Sequence, residues 1–371
     1  MAVLAPTSQI IFSARLLQQL LRRNENNVFV SPASVGLALG MVAAGAQGKT
    51  LAALEHTLGA DATLAANRAK RLFASLDARP PGVAVEFANS LWARSGLPLS
   101  ARYASTMRES YRAEVRKLDF TLPGATTLVN DWVARATHDR IGSAVDRIDA
   151  DSILVLVNAT YFHGLWEAPF DLANTVDHEF TTGAGGVTEV RLMQTSASFD
   201  YTQNADLQAV RLPYRQGRFN LLVVLPRQPL STAAFDDVAA PSSLARILVD
   251  LKDRPGTLGV PKVRLAFAAD LKTELLEMGM GPAFAEDADF SGVFDGEVPA
   301  YISNVFHKTR LEIDEKGTTA AASTYVEYSL GASLIAPPAP FEMIVDRPFL
   351  VVLTDRETDL ILFLGVIGDP T

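Results

Sequence analysis

Residues 152–162 (SILVLVNATYF) constrain the fold of this chain more than any other segment. The run is uncharged and rich in β-branched and aromatic side chains, so it reads as a strand buried on both faces. Such a strand requires a sizeable core, and the composition supplies one: of 371 residues, 48% are hydrophobic and 20% charged. Beyond it strand signals dominate, at 188–193, 207–212, 220–225, 259–265, 349–354 and 360–366, the last two joined as a hairpin by 355–359. One helix, at 271–278, interrupts them. Ahead of it the chain reads as largely helical. Ile10, Ile11, Leu16, Leu17, Leu20 and Leu21 recur at helical spacing. Ser31 or Ser34 caps a helix that runs through Met41 and is broken by Gly45 and Gly48. Residues 50–58, 63–76, 103–111 and 128–138 continue the helical pattern, with a strand at 83–92 among them. No internal repeat and no Gly-, Ser- or Pro-rich linker divides the chain, so residues 1–371 are read as a single α+β domain.

Charge and residue usage exclude several functions. Thirty-three Lys and Arg against 42 Asp and Glu leave a net charge of −9, which argues against a nucleic-acid partner. With no cysteine, disulfide scaffolds, zinc-thiolate sites and cysteine nucleophiles are excluded. The longest apolar runs are of strand length, short of the ~20 residues of a membrane span, so no membrane partner is expected. The N-terminus lacks a basic stretch followed by a continuous apolar run. The chain is therefore read as cytoplasmic, or as secreted with its signal removed.

Residues 45–50 (GAQGKT) brush the phosphate-loop pattern, but Ala43 stands where it needs glycine and a helix precedes it. His178 and Glu179 lack the second histidine of a zinc protease motif, and the five histidines show no metal spacing. There is no GxSxG elbow. Asn158, Ala159 and Thr160 match a glycosylation acceptor but sit in the expected buried strand. Arg68, Lys70 and Arg71 read as a solvated helix face. No cofactor, metal or catalytic constellation is expected, and the chain is not read as an enzyme.

Residues 315–340 (EKGTTAAASTYVEYSLGASLIAPPAP) fit none of these elements. The segment is long, rich in small residues and without a helical stripe, and a loop of this length inside a compact domain is usually functional. Its start, EKGTTAAAST, resembles the proximal hinge of a serpin reactive-centre loop, and both flanks (SNVFHKTRLEIDEKG and DRPFLVVLTD) are similar to the serpin pattern. The resemblance extends over nearly the whole chain. NVFVSPAS at 27–34, GAQGKT at 45–50, NSLW at 89–92, NDWV at 130–133, NATYFHGLWEAPF at 158–170, MGM at 278–280, ADFSG at 288–292 and FLGVIGDP at 363–370 stand in the family's order. The alanine-rich composition suggests a bacterial member.

The resemblance implies a serpin fold, with about nine helices around three β-sheets and an exposed reactive-centre loop. It also implies a suicide-substrate inhibitor of serine proteases. The loop is cleaved, an acyl-enzyme forms, and the cut loop enters the large sheet as a new strand, trapping the protease in a covalent complex with a monomeric inhibitor. The alternative is a non-inhibitory carrier, chaperone or binding module on the same fold. By the resemblance, Glu315, Gly317, Thr318, Thr319, Ala320, Ala321 and Ala322 are the hinge. Ser31, Ser34, Asn158 and His307 form a hydrogen-bonded shutter under the large sheet, and Trp166 marks the breach where insertion starts.

The loop's composition suits insertion. If Thr318 points inward, so do Ala320, Ala322, Thr324, Val326 and Tyr328, none of them charged. The single charge, Glu327, is then expected on the solvent face, and a one-residue slip would bury it at several kcal/mol. Proline is absent from 317–336, so each residue can donate to a ladder. About 12–15 new ladder hydrogen bonds at ~1 kcal/mol net each give a driving force on the order of 10 kcal/mol. Thr319 replaces the glutamate usual at its position, which points outward and tolerates it.

Counting as in typical inhibitory members places the reactive bond between Gly331 and Ala332, or one residue earlier between Leu330 and Gly331. Neither Arg nor Lys lies between Lys316 and Arg347. The expected target is therefore chymotrypsin-, subtilisin- or elastase-like rather than trypsin-like.

Overall fold

Thr7 caps the first helix, α1 (Ser8–Leu21), whose Leu16, Leu17, Leu20 and Leu21 are buried on one face, as their spacing requires. The structure, a computed structural model, describes residues 5–23, 26–317 and 339–371. A short strand β1 (Asn27–Val30) follows, and then α2 (Pro32–Ala43). Ser31 rather than Ser34 is the cap of α2, its hydroxyl accepting from the Ser34 N–H, with Pro32 at the first helical position. Helices α3 (Gly48–Leu58), α4 (Ala62–Asp77) and α5 (Ala101–Tyr111) surround strand β2 (Val83–Arg94) in the chain. Next come β3 (Glu114–Leu118), α6 (Ala125–Ala136) and β4 (Leu154–Gly164), the strand expected from 152–162. All but His163 of β4 are buried.

The second half is richer in strands than its sequence suggested. It contains β5 (Thr175–Thr181), β6 (Val187–Gln203), β7 (Leu207–Pro213), β8 (Phe219–Pro226), β9 (Lys252–Pro261), β10 (Val263–Asp270), β11 (Ile302–Ile313), β12 (Phe341–Ile344), β13 (Phe349–Asp355) and β14 (Leu360–Ile367). The expected strand at 259–265 is two strands. The chain turns at Lys262, whose N–H bonds the Arg191 carbonyl, and passes from one sheet to the other. A helix at 241–250, α7 (Pro241–Asp250), was not anticipated; Leu244, Ala245 and Ile247 pack its inner face. The helix expected at 271–278 shortens to α8 (Lys272–Leu275). Gly279, at a φ of 105°, then widens the turn before α9 (Gly281–Phe284).

Two hydrogen-bonded sheets result. One has nine strands in the order β1-β14-β13-β8-β7-β6-β9-β12, with β5 added on β6. β6 pairs β5 along its first part, β9 from Leu192 to Tyr201 and β7 at its end, so two groups of strands join through it. The other has five strands in the order β10-β11-β4-β2-β3. Its inner face, carrying Leu154, Leu156 and Phe162, packs on the main core beneath α2.

Its outer face is not open to water. Val155, Val157, Ala159 and Phe306 lie under α6 and the segment 141–148, in a second core with Val129, Trp132 and Trp92. Glu327, expected on the solvent face of an added strand, lies outside the described residues. Along much of β4 the outward side is covered.

Candidate functional site

β4 and β11 lie side by side and parallel, in register from Leu154 opposite Ile302 to Tyr161 opposite Arg310, with one irregularity between Ile302 and Asn304. These two strands, far apart in the chain, form a seam through the middle of the five-stranded sheet.

A polar network sits under the middle of that seam. Asn158 and His307 are register partners, and both side chains are fully buried. The Ser31 N–H donates to His307 Nε2 at 3.0 Å, so that nitrogen carries no proton. His307 is therefore the neutral Nδ1–H tautomer, and Nδ1 donates to Asn158 Oδ1. The Asn158 amide nitrogen meets the Ser34 carbonyl at 3.0 Å, Ser34 Oγ and Asn89 Oδ1. Thr160 Oγ1 donates to Ser34 Oγ, Ser31 Oγ to the Leu362 carbonyl at 2.6 Å, and Thr309 Oγ1 to the Phe29 carbonyl. The N-terminus of α2 is thus tied to both strands of the seam and to β14. Each bond is worth about 1 kcal/mol net, but a buried group left without its partner costs more than that.

Burial holds the His307 imidazole neutral down to about pH 3. The unfolded chain binds a proton near pH 6.5, so this contribution is fully present above that pH. It is lost as the pH falls from 6.5 toward 3. Between pH 7 and pH 4 the protein should lose about 3 kcal/mol more stability than a His307→Gln variant does. Urea unfolding of the two at both pH values checks this, and parallel pH profiles would contradict it.

A second set of contacts closes the top of the seam, where the chain leaves β11. Glu315 is nearly buried and bonds Lys262 Nζ at 2.9 Å and Thr175 Oγ1 at 3.0 Å, while its carbonyl accepts from the Phe170 N–H. Burial by itself would raise the Glu315 carboxyl. The hydrogen bonds from Lys262, the backbone and Thr175, with the Lys262 charge, outweigh it and hold the group below the usual glutamate range. Trp166 bonds the Lys316 carbonyl through its backbone N–H and the Asp314 carbonyl through its indole N–H. Its ring stacks on Tyr214, centroids 4.4 Å apart. Gly317 pairs with both Asp314 and Leu165 in antiparallel bridges. Its φ is 111°, and a Cβ there would lie 2.3 Å from the Gly164 carbonyl oxygen, so glycine is required.

The residues singled out from sequence therefore fall into two places. Ser31, Ser34, Asn158 and His307 come together under the middle of the seam, and Trp166, Glu315 and Gly317 come together at its upper end. Thr318, Thr319, Ala320, Ala321 and Ala322, and Leu330, Gly331 and Ala332 at the reactive bond, lie outside the described residues. Asn89, Thr160, Thr309, Thr175, Lys262 and Tyr214 were given no role from sequence. Alternation along β4 would have found Thr160, which shares a face with Asn158 two residues away. Among the described residues no cluster of three or more His, Asp or Glu could hold a metal, and no helix is long and apolar enough to cross a membrane.

The arrangement is that of an α+β protein whose five-stranded sheet has a parallel pair, β4 and β11, tied to the start of α2 by a buried polar network. The sequence pattern of the family described as Serpin (serine protease inhibitor) matches residues 7–370. The chain belongs to the serpin family, whose members are generally protease inhibitors that complex with target proteases. Iripin-2 of the tick Ixodes ricinus is 34% identical over 370 residues, covering 96% of this chain and 91% of that protein. An uncharacterised serpin-like protein of Thermococcus kodakarensis is 33% identical, covering 95% of this chain and 83% of its own. The thermophilic serpin Tengpin in its native state superposes with a TM-score of 0.88 at 25% identity, over 98% of this chain and 93% of its own. The thyroxine-binding globulin complex with thyroxine superposes with a TM-score of 0.86 at 26% identity, over 98% and 99%.

Proposed function

We propose that the chain, one domain over residues 1–371, is a suicide-substrate inhibitor of serine proteases and not an enzyme. The observation that carries this reading is the register at Gly317. Antiparallel pairing continued from the Asp314 bridge along β11, and from the Leu165 bridge along β4, assigns the following residues two sets of partners. The two sets agree with each other. Ala322 falls opposite both Thr309 and Thr160, and Thr324 opposite both His307 and Asn158, which are already partners across the closed seam. A strand continuing from Gly317 therefore fits between β4 and β11 without a slip. Its inward residues are Thr318, Ala320, Ala322, Thr324, Val326 and Tyr328, and Tyr325 turns outward beneath α6 between Phe306 and Val157.

In the proposed reaction the protease serine Oγ attacks the carbonyl carbon of the reactive bond, between Gly331 and Ala332 or between Leu330 and Gly331. The C–N bond breaks and the new amino terminus leaves with a proton. The acyl ester remains on the protease, and the part of the 315–340 loop that precedes the cut enters the seam before water hydrolyses it. Ser31, Ser34, Asn158 and His307 gate the seam; Glu315, Trp166 and Gly317 set where parting begins. The target is chymotrypsin-, subtilisin- or elastase-like, held covalently by a monomer.

Likeness to thyroxine-binding globulin supports a second reading, a non-inhibitory carrier on the same fold. Incubation with chymotrypsin, subtilisin, elastase and trypsin, read by denaturing gel and mass spectrometry, separates the two. A covalent band near the summed masses with one of the first three is expected. Loop cleavage without that band would mean a substrate only, and the carrier reading would replace this one.

A further inference from the structure

Helix α2 shows two faces. Ser31 and Ser34 turn toward the seam, while Ala33, Gly36 and Leu37 turn the other way, into a cleft shared with α1 and α4. Phe12, Leu37, Leu58 and Leu72 make its walls apolar, and its volume is about 80 Å³. Gly36 leaves the space open: a Cβ added there would approach nothing closer than Phe12 Cε1, at 4.0 Å.

Arg68 of α4 also lines the cleft. Its hydrogen bond is a long one to Ser8 Oγ, 3.4 Å, and among the described residues no carboxylate lies within ion-pair distance of it. The other polar side chain present, Gln9, is already spent, its amide exchanging two hydrogen bonds with the Ile361 backbone. Arg68 also borders a wider polar cleft with Arg71, Glu357 and Asp359, but neither carboxylate is within ion-pair distance of it, and Arg218 holds Glu357 at 2.8 Å. An apolar hollow lined by an uncompensated guanidinium matches one kind of small molecule.

We propose that this cleft binds a short-chain aliphatic carboxylate, with its alkyl end against Phe12, Leu37, Leu58 and Leu72 and its carboxylate on the Arg68 guanidinium. The hollow is narrow, about 80 Å³, which suits the slim cross-section of an alkyl chain with its carboxylate end at the rim beside Arg68. Guanidinium takes a carboxylate in a two-point hydrogen-bonded geometry that an alcohol cannot copy. The site also has a consequence. A ligand seated on Ala33 and Gly36 braces the helix whose other face holds Asn158 and His307, so binding stabilises the closed seam by mass action.

The test uses sodium hexanoate, with hexan-1-ol as the neutral control, on the full chain by calorimetric titration and by thermal unfolding. Hexanoate should bind saturably and raise the melting temperature. Gly36→Leu, checked for fold by circular dichroism, should abolish both effects by filling the cleft. Arg68→Met should weaken hexanoate by about tenfold and leave hexanol unchanged. Absence of saturable hexanoate binding would overturn the proposal, as would hexanoate binding that survives Arg68→Met undiminished. No protease enters the measurement, so its outcome stands apart from the inhibitory reading.

Discussion

Thr324→Arg should abolish the covalent complex while leaving the loop cleavable. The proposed register puts residue 324 of the inserted strand on the inner face between Asn158 and His307, above Ser31 and Ser34, all four of them buried. A guanidinium there has no carboxylate to pair with, because the network beneath consists of hydroxyls, amides and a neutral imidazole. Burying it unpaired costs several kcal/mol. Even ~3 kcal/mol added to the insertion barrier slows insertion by about 100-fold, so hydrolysis of the acyl ester wins the competition. Thr319→Arg is the matched control. In the same register it falls on the outer face between His163 and Glu312, both partly exposed, and should keep most of the trapping. Gel analysis of both variants with the wild-type target checks the pair. Equal trapping by Thr324→Arg and wild type would mean that the strand does not enter in this register.

Glu315→Lys should loosen the top of the seam strongly. The wild-type carboxylate joins Lys262, between β9 and β10, to Thr175 at the start of β5. Reversing its sign sets two ammonium groups against each other at a site where Glu315 is 7% exposed. A loss of at least about 2 kcal/mol is expected, because a nearly buried charge loses its partner. The charge swap Glu315→Lys with Lys262→Glu should recover part of it, which a double-mutant cycle by urea unfolding measures. The wild-type pair also has a pH signature. With its carboxyl held below the usual range, Glu315 stabilises the fold above about pH 4.5, and that contribution is lost as the pH falls through its folded value.

The elements readable from sequence were those that are mostly apolar along their whole length or along one face. β4, β8, β13 and β14 are nearly continuous hydrophobic runs, and α1 carries a clean helical stripe. β11 escaped because His307 and Thr309 occupy inward positions that would ordinarily be apolar, while Lys308, Arg310 and Glu312 fill the outward ones. The polar network that makes the seam a candidate gate is what hid the strand bearing it. The same logic applies at Lys262. A charged residue inside a strand-like run marked the corner between two sheets, and only the Glu315 contact shows why a charge stands there. The family's motifs gathered Ser31, Ser34, Asn158 and His307 correctly into one place. They gave no sign of the Asn89 and Thr309 contacts, which depend on register between strands far apart in the sequence. The cover that α6 lays over the outer face was likewise invisible, because alternation along a loop reports two faces but not what lies against each.

The most direct test of the account is a crystal structure of the protein after a single cut in the loop. The account predicts a six-stranded sheet in which β4 and β11 no longer pair, with Thr324 between Asn158 and His307 and Tyr325 beneath α6. A cut chain in which β4 still pairs with β11 along Leu154–Tyr161 would contradict it.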